Sequence, residues 1–205
     1  MTLVPPSTQV QPYKLSFGVG GLNVAGASIA ARLYLDLGDW VAVRAALDSG
    51  NLLQARTVST AKRLNRELIQ RISQLSISEV ELITEATADE RAYVMWAAVC
   101  RRYTLVAEFA EEVLRDRYLL MASDVLPEHF EAFARGKTVW HPELAELKAT
   151  TLSELRNNLF RLMREAGLVT ADHTIVQAVL SSRVRDEFAL REPSDIRFFP
   201  TKEAA

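Results

Sequence analysis

With 205 residues, 49% of them hydrophobic and 24% charged, the chain has the make-up of an ordinary globular protein, and disorder along its whole length is excluded. Twenty-four Lys and Arg against twenty-six Asp and Glu leave a formal net charge of −2, so contact with nucleic acid has to come from a local patch. A single cysteine, Cys100, excludes an internal disulfide framework and suits a reducing cytoplasm.

In chain order, residues 1–12 hold Pro5, Pro6 and Pro12 among Ser, Thr and Gln and are expected to form a disordered lead. They lack the charged start and apolar run of a signal peptide. Apolar spacing predicts helices near 26–37, 40–48, 58–74, 77–85, 88–103, 105–120, 127–135, 142–147, 152–166 and 181–189. Three Ser/Thr–Glu pairs, Ser76/Glu79, Thr87/Glu90 and Thr151/Glu154, have the spacing of a capping box, in which hydroxyl and carboxylate satisfy orphan amides at a helix start. Trp40, Trp96 and Leu159 fall on the apolar stripes and are predicted to be core. The most apolar stretch, Ala92 to Cys100, ends at Arg101-Arg102. A bilayer span needs about 20 apolar residues, so this stretch is predicted to be a buried helix, in a cytoplasmic protein with no membrane partner.

Behind Gly167, Leu168-Val169-Thr170 and Thr174-Ile175-Val176 flank Ala171-Asp172-His173 as a predicted hairpin. Helix, glycine stop and hairpin outline a winged-helix unit. The expected fold is all-α, with two helical subdomains carrying helix-turn-helix-like units. They span 13–122 and 123–200, the second winged-helix-like, followed by a tail at 201–205. The boundary is placed at Ser123 to Pro127, because proline suits the first turn of a new helix.

Chemical motifs are absent or incomplete. Gly18-Val-Gly20-Gly21 resembles the start of a dinucleotide-binding turn, but Asn23 stands where its third glycine belongs, and no P-loop Lys-Ser/Thr follows. His129, His141 and His173 have no metal-ligand spacing, Cys100 has no partner, and no nucleophile elbow or carboxylate pair stands out. Neither catalysis, metal nor cofactor is expected. Cys100 reads as a small buried hydrophobe.

The charge pattern is more informative. Residues 51–75 carry Arg56, Lys62, Arg63, Arg66 and Arg71 against Glu67, whereas residues 76–90 carry five acids and no base. On a wheel of about 100° per residue, Ala61, Leu64, Leu68 and Ile72 fall within about 80° of arc. Lys62, Arg63 and Arg66 take the opposite side. On the predicted helix 152–166, Asn157, Arg161 and Arg164 face outward together. Asn and Arg are residue types that read base edges or hold phosphates. A solvated charged face is the plainer account of either helix, and on spacing alone the two stand about level.

Several stretches, taken in order, carry a family resemblance. They include Leu15-Ser-Phe-Gly-Val-Gly-Gly-Leu22, Tyr34-Leu-Asp-Leu-Gly-Asp-Trp40, Asn51-Leu-Leu-Gln-Ala-Arg-Thr57, Ala61-Lys-Arg63 and Ala98-Val-Cys-Arg-Arg-Tyr103. They continue with Glu108-Phe-Ala-Glu-Glu-Val-Leu-Arg115, Trp140-His-Pro-Glu-Leu144 and Leu159-Phe-Arg-Leu-Met-Arg-Glu-Ala-Gly-Leu168. Over nearly the whole chain from residue 13, the sequence resembles the BrxA family, a small component of the BREX (bacteriophage exclusion) defence systems of bacteria. The resemblance implies an all-helical accessory protein that binds double-stranded DNA, has no enzymatic chemistry and works beside methyltransferase and ATPase subunits. It supplies no DNA-contacting residues. Those assigned here, Arg56, Lys62, Arg63, Arg66, Asn157, Arg161 and Arg164, come from the residue pattern. A protein–protein adaptor and an RNA-binding helical protein are the competing expectations.

Overall fold

The computed structural model describes residues 11–19 and 21–204. The expected disordered lead, up to residue 10, lies outside the described residues, as do Gly20 and Ala205 at the end of the tail. The described chain is mostly helical. It runs α1 (Val24–Leu37), α2 (Trp40–Gly50), α3 (Val58–Ile72), α4 (Ile77–Glu85) and α5 (Ala88–Arg102). Next come α6 (Thr104–Phe109), a π-helical stretch at Ala110–Arg115, α7 (Asp116–Leu119), α8 (Pro127–Lys137), α9 (Pro142–Ala145), α10 (Ala149–Glu165) and α11 (Ser182–Ala189). A 3-10 turn at Asp195–Phe198 closes the order.

Local chemistry explains where these helices start. Asp39 caps α2 by accepting from the Ala42 amide at 3.0 Å, and Thr57 caps α3 by accepting from Thr60 at 3.1 Å. The boxes Ser76/Glu79 and Thr87/Glu90 form with both of their bonds. The third expected box does not form. The turn after α9 leaves Lys148 in extended backbone, so α10 begins at Ala149 and takes Thr151 into its first turn. α10 ends as predicted at Gly167, whose φ of 70° lets the Leu168 amide reach back to Met163 and its own amide to Arg164, 2.9 Å each.

α5 is the centre of the molecule, since Ala92 to Cys100 are all buried and no face of that stretch is left to solvent. Trp96 is fully buried, and its indole N–H donates to the Phe198 carbonyl at 3.0 Å, which anchors the 3-10 turn against α5. Leu159 is fully buried on α10. Trp40 is only half-buried, because it stacks on Tyr34 at the α1–α2 corner, 3.9 Å between centroids, instead of entering the core. One hydrophobic cluster contains side chains from both sides of residue 123.

The expected winged-helix hairpin is corrected by the structure. Between 168 and 176 the chain turns back on itself, with Thr170 donating to Thr174 at 2.9 Å and Val176 to Leu168 at 2.9 Å. The outgoing limb then pairs elsewhere, Ile175 with the Ser123 carbonyl at 2.8 Å and Ala178 with Pro200 at 2.9 Å. Among the described residues, pairing stays at two isolated bridges, Asp124–Thr174 and Val169–Ile175, and no sheet forms. Leu168 and Val169 are buried, so the turn is drawn into the core and no wing projects.

An irregular stretch, residues 13–19 with Gly21 and Leu22, straps the helices together. The Tyr13 ring stacks on His141 at 3.6 Å, its amide donates to Glu143 at 2.8 Å and its hydroxyl to Glu108 at 2.5 Å. Arg71 of α3 donates to the carbonyls of Phe17 at 3.3 Å, Val19 at 3.2 Å and Gly21. Gly21 has φ +58°, and a Cβ there would meet the Glu165 carboxylate at 2.5 Å, so both backbone and neighbour favour glycine.

Two outcomes are expected. Leu159→Ala lowers the unfolding free energy by about 2–5 kcal/mol, as urea denaturation measures, because a fully buried leucine leaves a cavity. The second concerns Glu90, whose carboxyl is held well below the usual carboxylate range by the Arg183 guanidinium and then the Ser181 hydroxyl. A lowered folded pKa gives stability that is present above the unfolded value of about 4.3 and lost as pH falls through the folded one. In thermal melts, Glu90→Gln is therefore less stable than the wild type at neutral pH, and the gap closes on acidification below about pH 4.

Candidate nucleic-acid interface

α3 is two-sided. Ala61, Leu68 and Ile72 are buried and Leu64 is half-buried, as the apolar stripe requires. The wheel does not reveal that Asn65, Glu67 and Arg71 are buried too. Arg71, 1% exposed, donates from Nε to Glu67 Oε1 at 2.9 Å, and the Tyr103 hydroxyl donates to the same oxygen. Arg71 therefore leaves the basic block that the sequence suggested, and so does its counterion Glu67.

What remains on the outside is cationic. Arg56, Lys62, Arg63 and Arg66 are all exposed, and among the described residues none has a carboxylate within the 4.0 Å of an ion pair. Lys62 and Arg71 are nine residues apart in α3, which at about 100° per residue sets them about 180° apart around the helix. The basic side thus points away from the strap that Arg71 holds. The Asn51 side chain accepts from the Ala55 amide at 3.0 Å and donates to its carbonyl at 3.2 Å, which closes the turn between α2 and α3 and places Arg56 just before α3.

α2 adds a residue that sequence reasoning missed. Arg44 lines one shallow groove with Val58, Ser59, Lys62, Arg63 and Arg66. Its position in a generic amphipathic helix carries no signal by itself, and only the angle of the turn brings it to α3.

The second expected face is less uniform. Asn157 and Arg164 are exposed on α10. Arg161 instead donates to the Gly18 carbonyl at 3.2 Å and to Asn158 Oδ1 at 3.1 Å, so it grips the strap. Arg71 and Arg161 hold the same strap from α3 and α10, and the structure does not merge Lys62, Arg63 and Arg66 with Arg161 into one surface.

The acidic block 76–90 is partly turned inward. Glu79 is 1% exposed and bonded to Arg101, with Arg191 3.5 Å away. Burial pushes its carboxyl up, but the Arg101 guanidinium outweighs that and holds it below the usual range. Glu90 caps α5 and meets Arg183. Glu81, Glu85 and Asp89 stay exposed.

The three histidines serve local structure. His129 Nδ1 accepts from the Leu126 amide at 2.8 Å, His141 stacks on Tyr13, and His173 sits in the 168–176 turn. Among the described residues no group of three His, Cys, Asp or Glu is placed to share a metal ion. Burial pushes the Cys100 thiol well up, away from the thiolate form that reacts. No described helix is long and apolar enough to cross a membrane.

The BrxA family model matches residues 11–191. The chain belongs to the BrxA family. Two relatives named BREX protein BrxA are similar to it. The one from Escherichia coli O9:H4 (strain HS) is 29% identical over 119 residues, 58% of this chain and 56% of that protein. The one from Paramagnetospirillum magneticum (strain AMB-1) is 23% identical over 162 residues, 79% of this chain and 81% of that protein. The match thus spans only about half of the first relative's length. A crystal structure of an uncharacterized protein from Magnetospirillum magneticum superposes with a TM-score of 0.79 at 21% identity, covering 93% of this chain and all of that one. BrxA-family membership thus accompanies a shared fold, while the α3 groove is described from this chain alone.

The two faces separate in a stability measurement. Replacing Lys62, Arg63 and Arg66 by Ala moves the unfolding free energy by under about half a kcal/mol per site, because exposed unpartnered side chains hold nothing. Arg161→Ala costs about 1 kcal/mol or more, because the Gly18 carbonyl loses its donor. Denaturant titration checks both.

Proposed function

We propose that this protein is a non-enzymatic, double-stranded-DNA-binding accessory component of a bacterial BREX phage-defence system. It acts in the cytoplasm beside the methyltransferase and ATPase subunits. The observation that carries the reading is the exposed set Arg56, Lys62, Arg63 and Arg66, which gathers at the start of one helix and has no acidic partner among the described residues. Cations held without counterions on one side of a helix suit phosphate oxygens, and releasing the DNA's own counterions drives the association. α2, the closed turn and α3 then form a helix-turn-helix-like unit that presents α3 to the duplex. Asn157 and Arg164 supply a second, smaller contact on α10. The subdomains 13–122 and 123–200 meet at Ser123–Pro127 and share the central core.

A protein–protein adaptor is favoured by a separate observation. Leu120, Met121, Val139 and Trp140 are 81%, 75%, 74% and 69% exposed, a set of large apolar groups at the turns after α7 and α8. RNA binding would use the same basic face.

A gel-shift comparison of duplex DNA, single strands and structured RNA at two salt concentrations separates these readings. The duplex is expected to bind tightest, with affinity falling as salt rises. Replacing Lys62, Arg63 and Arg66 by Ala is expected to weaken duplex binding and to flatten the slope of log K against log salt by up to about 3 units. A folded triple variant with unchanged affinity and slope assigns the face to a protein partner instead.

A further inference from the structure

We propose that one strand of a DNA duplex is gripped in a two-helix cradle, in which Arg44 of α2 completes the cationic set of α3 and is positioned by Asp48 and Asn65. The inference rests on the reading of α3 as a duplex-DNA contact and specifies how that contact is built. Four of the six side chains lining the groove are cationic, namely Arg44, Lys62, Arg63 and Arg66, and the other two are Val58 and Ser59. None is aromatic, so the groove offers no surface on which an unpaired base stacks. None is acidic, so nothing in it repels phosphate. Such a lining suits the sugar–phosphate backbone and discriminates little among sequences.

The placement of Arg44 is what makes the groove a built feature. Its side chain is 46% exposed, yet its Nε lies 3.8 Å from Asp48 Oδ2 one turn along α2. The other Asp48 oxygen accepts from Asn65 Nδ2 at 2.8 Å, and Asn65 is 1% exposed on α3. The contact therefore runs from a buried amide of one helix, through a carboxylate, to a cation of the other. It sets the carboxylate that faces Arg44 against the helix that carries Asn65, Lys62, Arg63 and Arg66. A lone carboxylate beside a phosphate-binding face would otherwise be unfavourable, because it opposes the charge of the ligand. Positioning gives it a purpose. Asp48 and Asn65 act through Arg44 and do not themselves touch the DNA.

The test uses the full chain, fluorescence anisotropy and labelled duplexes of two unrelated sequences, each with its separated strand, over a salt series. Arg44→Ala is expected to weaken both duplexes by the same factor and to lower the salt slope by about 0.9, the value of one phosphate contact. Asp48→Ala separates positioning from charge. It removes a negative charge, so electrostatics alone requires tighter binding, whereas loss of positioning requires weaker binding than the wild type. Circular dichroism melts check that each variant folds, and Arg44→Gln, which keeps the aliphatic stem, replaces Arg44→Ala if that variant does not. If Arg44→Ala and Arg44→Gln bind as the wild type does while the Lys62/Arg63/Arg66 triple variant fails, the cradle is overturned and the α3 reading stands. If Asp48→Ala binds tighter, the positioning chain is overturned. A wild type that binds no duplex overturns both readings at once.

Discussion

Arg71 donates to the Phe17, Val19 and Gly21 carbonyls and to Glu67 from a position only 1% exposed, and both halves of the chain feel the consequences. A buried guanidinium is tolerated only when its charge is paired and its donors are used, and removing one partner of such a pair costs about 3–5 kcal/mol. Glu67, itself held by the Tyr103 hydroxyl, meets the first requirement and three carbonyls of the strap meet the second. The same strap is held from α10 by Arg161 and Glu165, and from the α8–α9 region by His141 and Glu143. A segment with no regular secondary structure thereby joins α3 to α10, with hydrogen bonds replacing the ladder of a sheet.

This arrangement fixes the direction of α3. Its inward face must keep Arg71 on the strap, so Lys62 and Arg66 cannot rotate inward to find acids, and they stay in solvent. Elsewhere several charges are closely paired. Arg101 lies between Glu79 and Asp195, Glu90 meets Arg183, and Lys137 lies between Glu108 and Glu112. A net charge of −2 therefore coexists with a cationic surface on one helix, because part of the acid is consumed in holding helices together.

The helices were largely legible in the sequence because their signals are local. Hydroxyl–carboxylate spacing gave the starts of α4 and α5, apolar period gave the faces of α3 and α10, and Gly167 marked the end of α10. Thr151/Glu154 has the same spacing as the other two boxes and fails because the preceding turn starts the helix earlier, which depends on α9. The hairpin failed for a comparable reason. Val169, Thr170, Ile175 and Val176 have the β-propensity of a strand, but the outgoing residues find partners at Ser123 and Pro200, far away in sequence. Arg71 and Arg44 show the same limit from opposite sides. One reads as a surface cation and is buried, the other as an unremarked helix residue and lies in the groove. Neither outcome follows from spacing, because both depend on how α3 is set against the strap and α2.

The proposed function places duplex DNA against α2 and α3. Hydrogen–deuterium exchange of the full chain with and without a duplex tests it most directly, because it locates the contact without altering any side chain. Added protection is expected in the segment from Arg44 to Arg66, including the turn at Asn51–Thr57, with little change in the already buried α5. Protection confined to α10, or to the exposed apolar turns at Leu120 and Trp140, would contradict it.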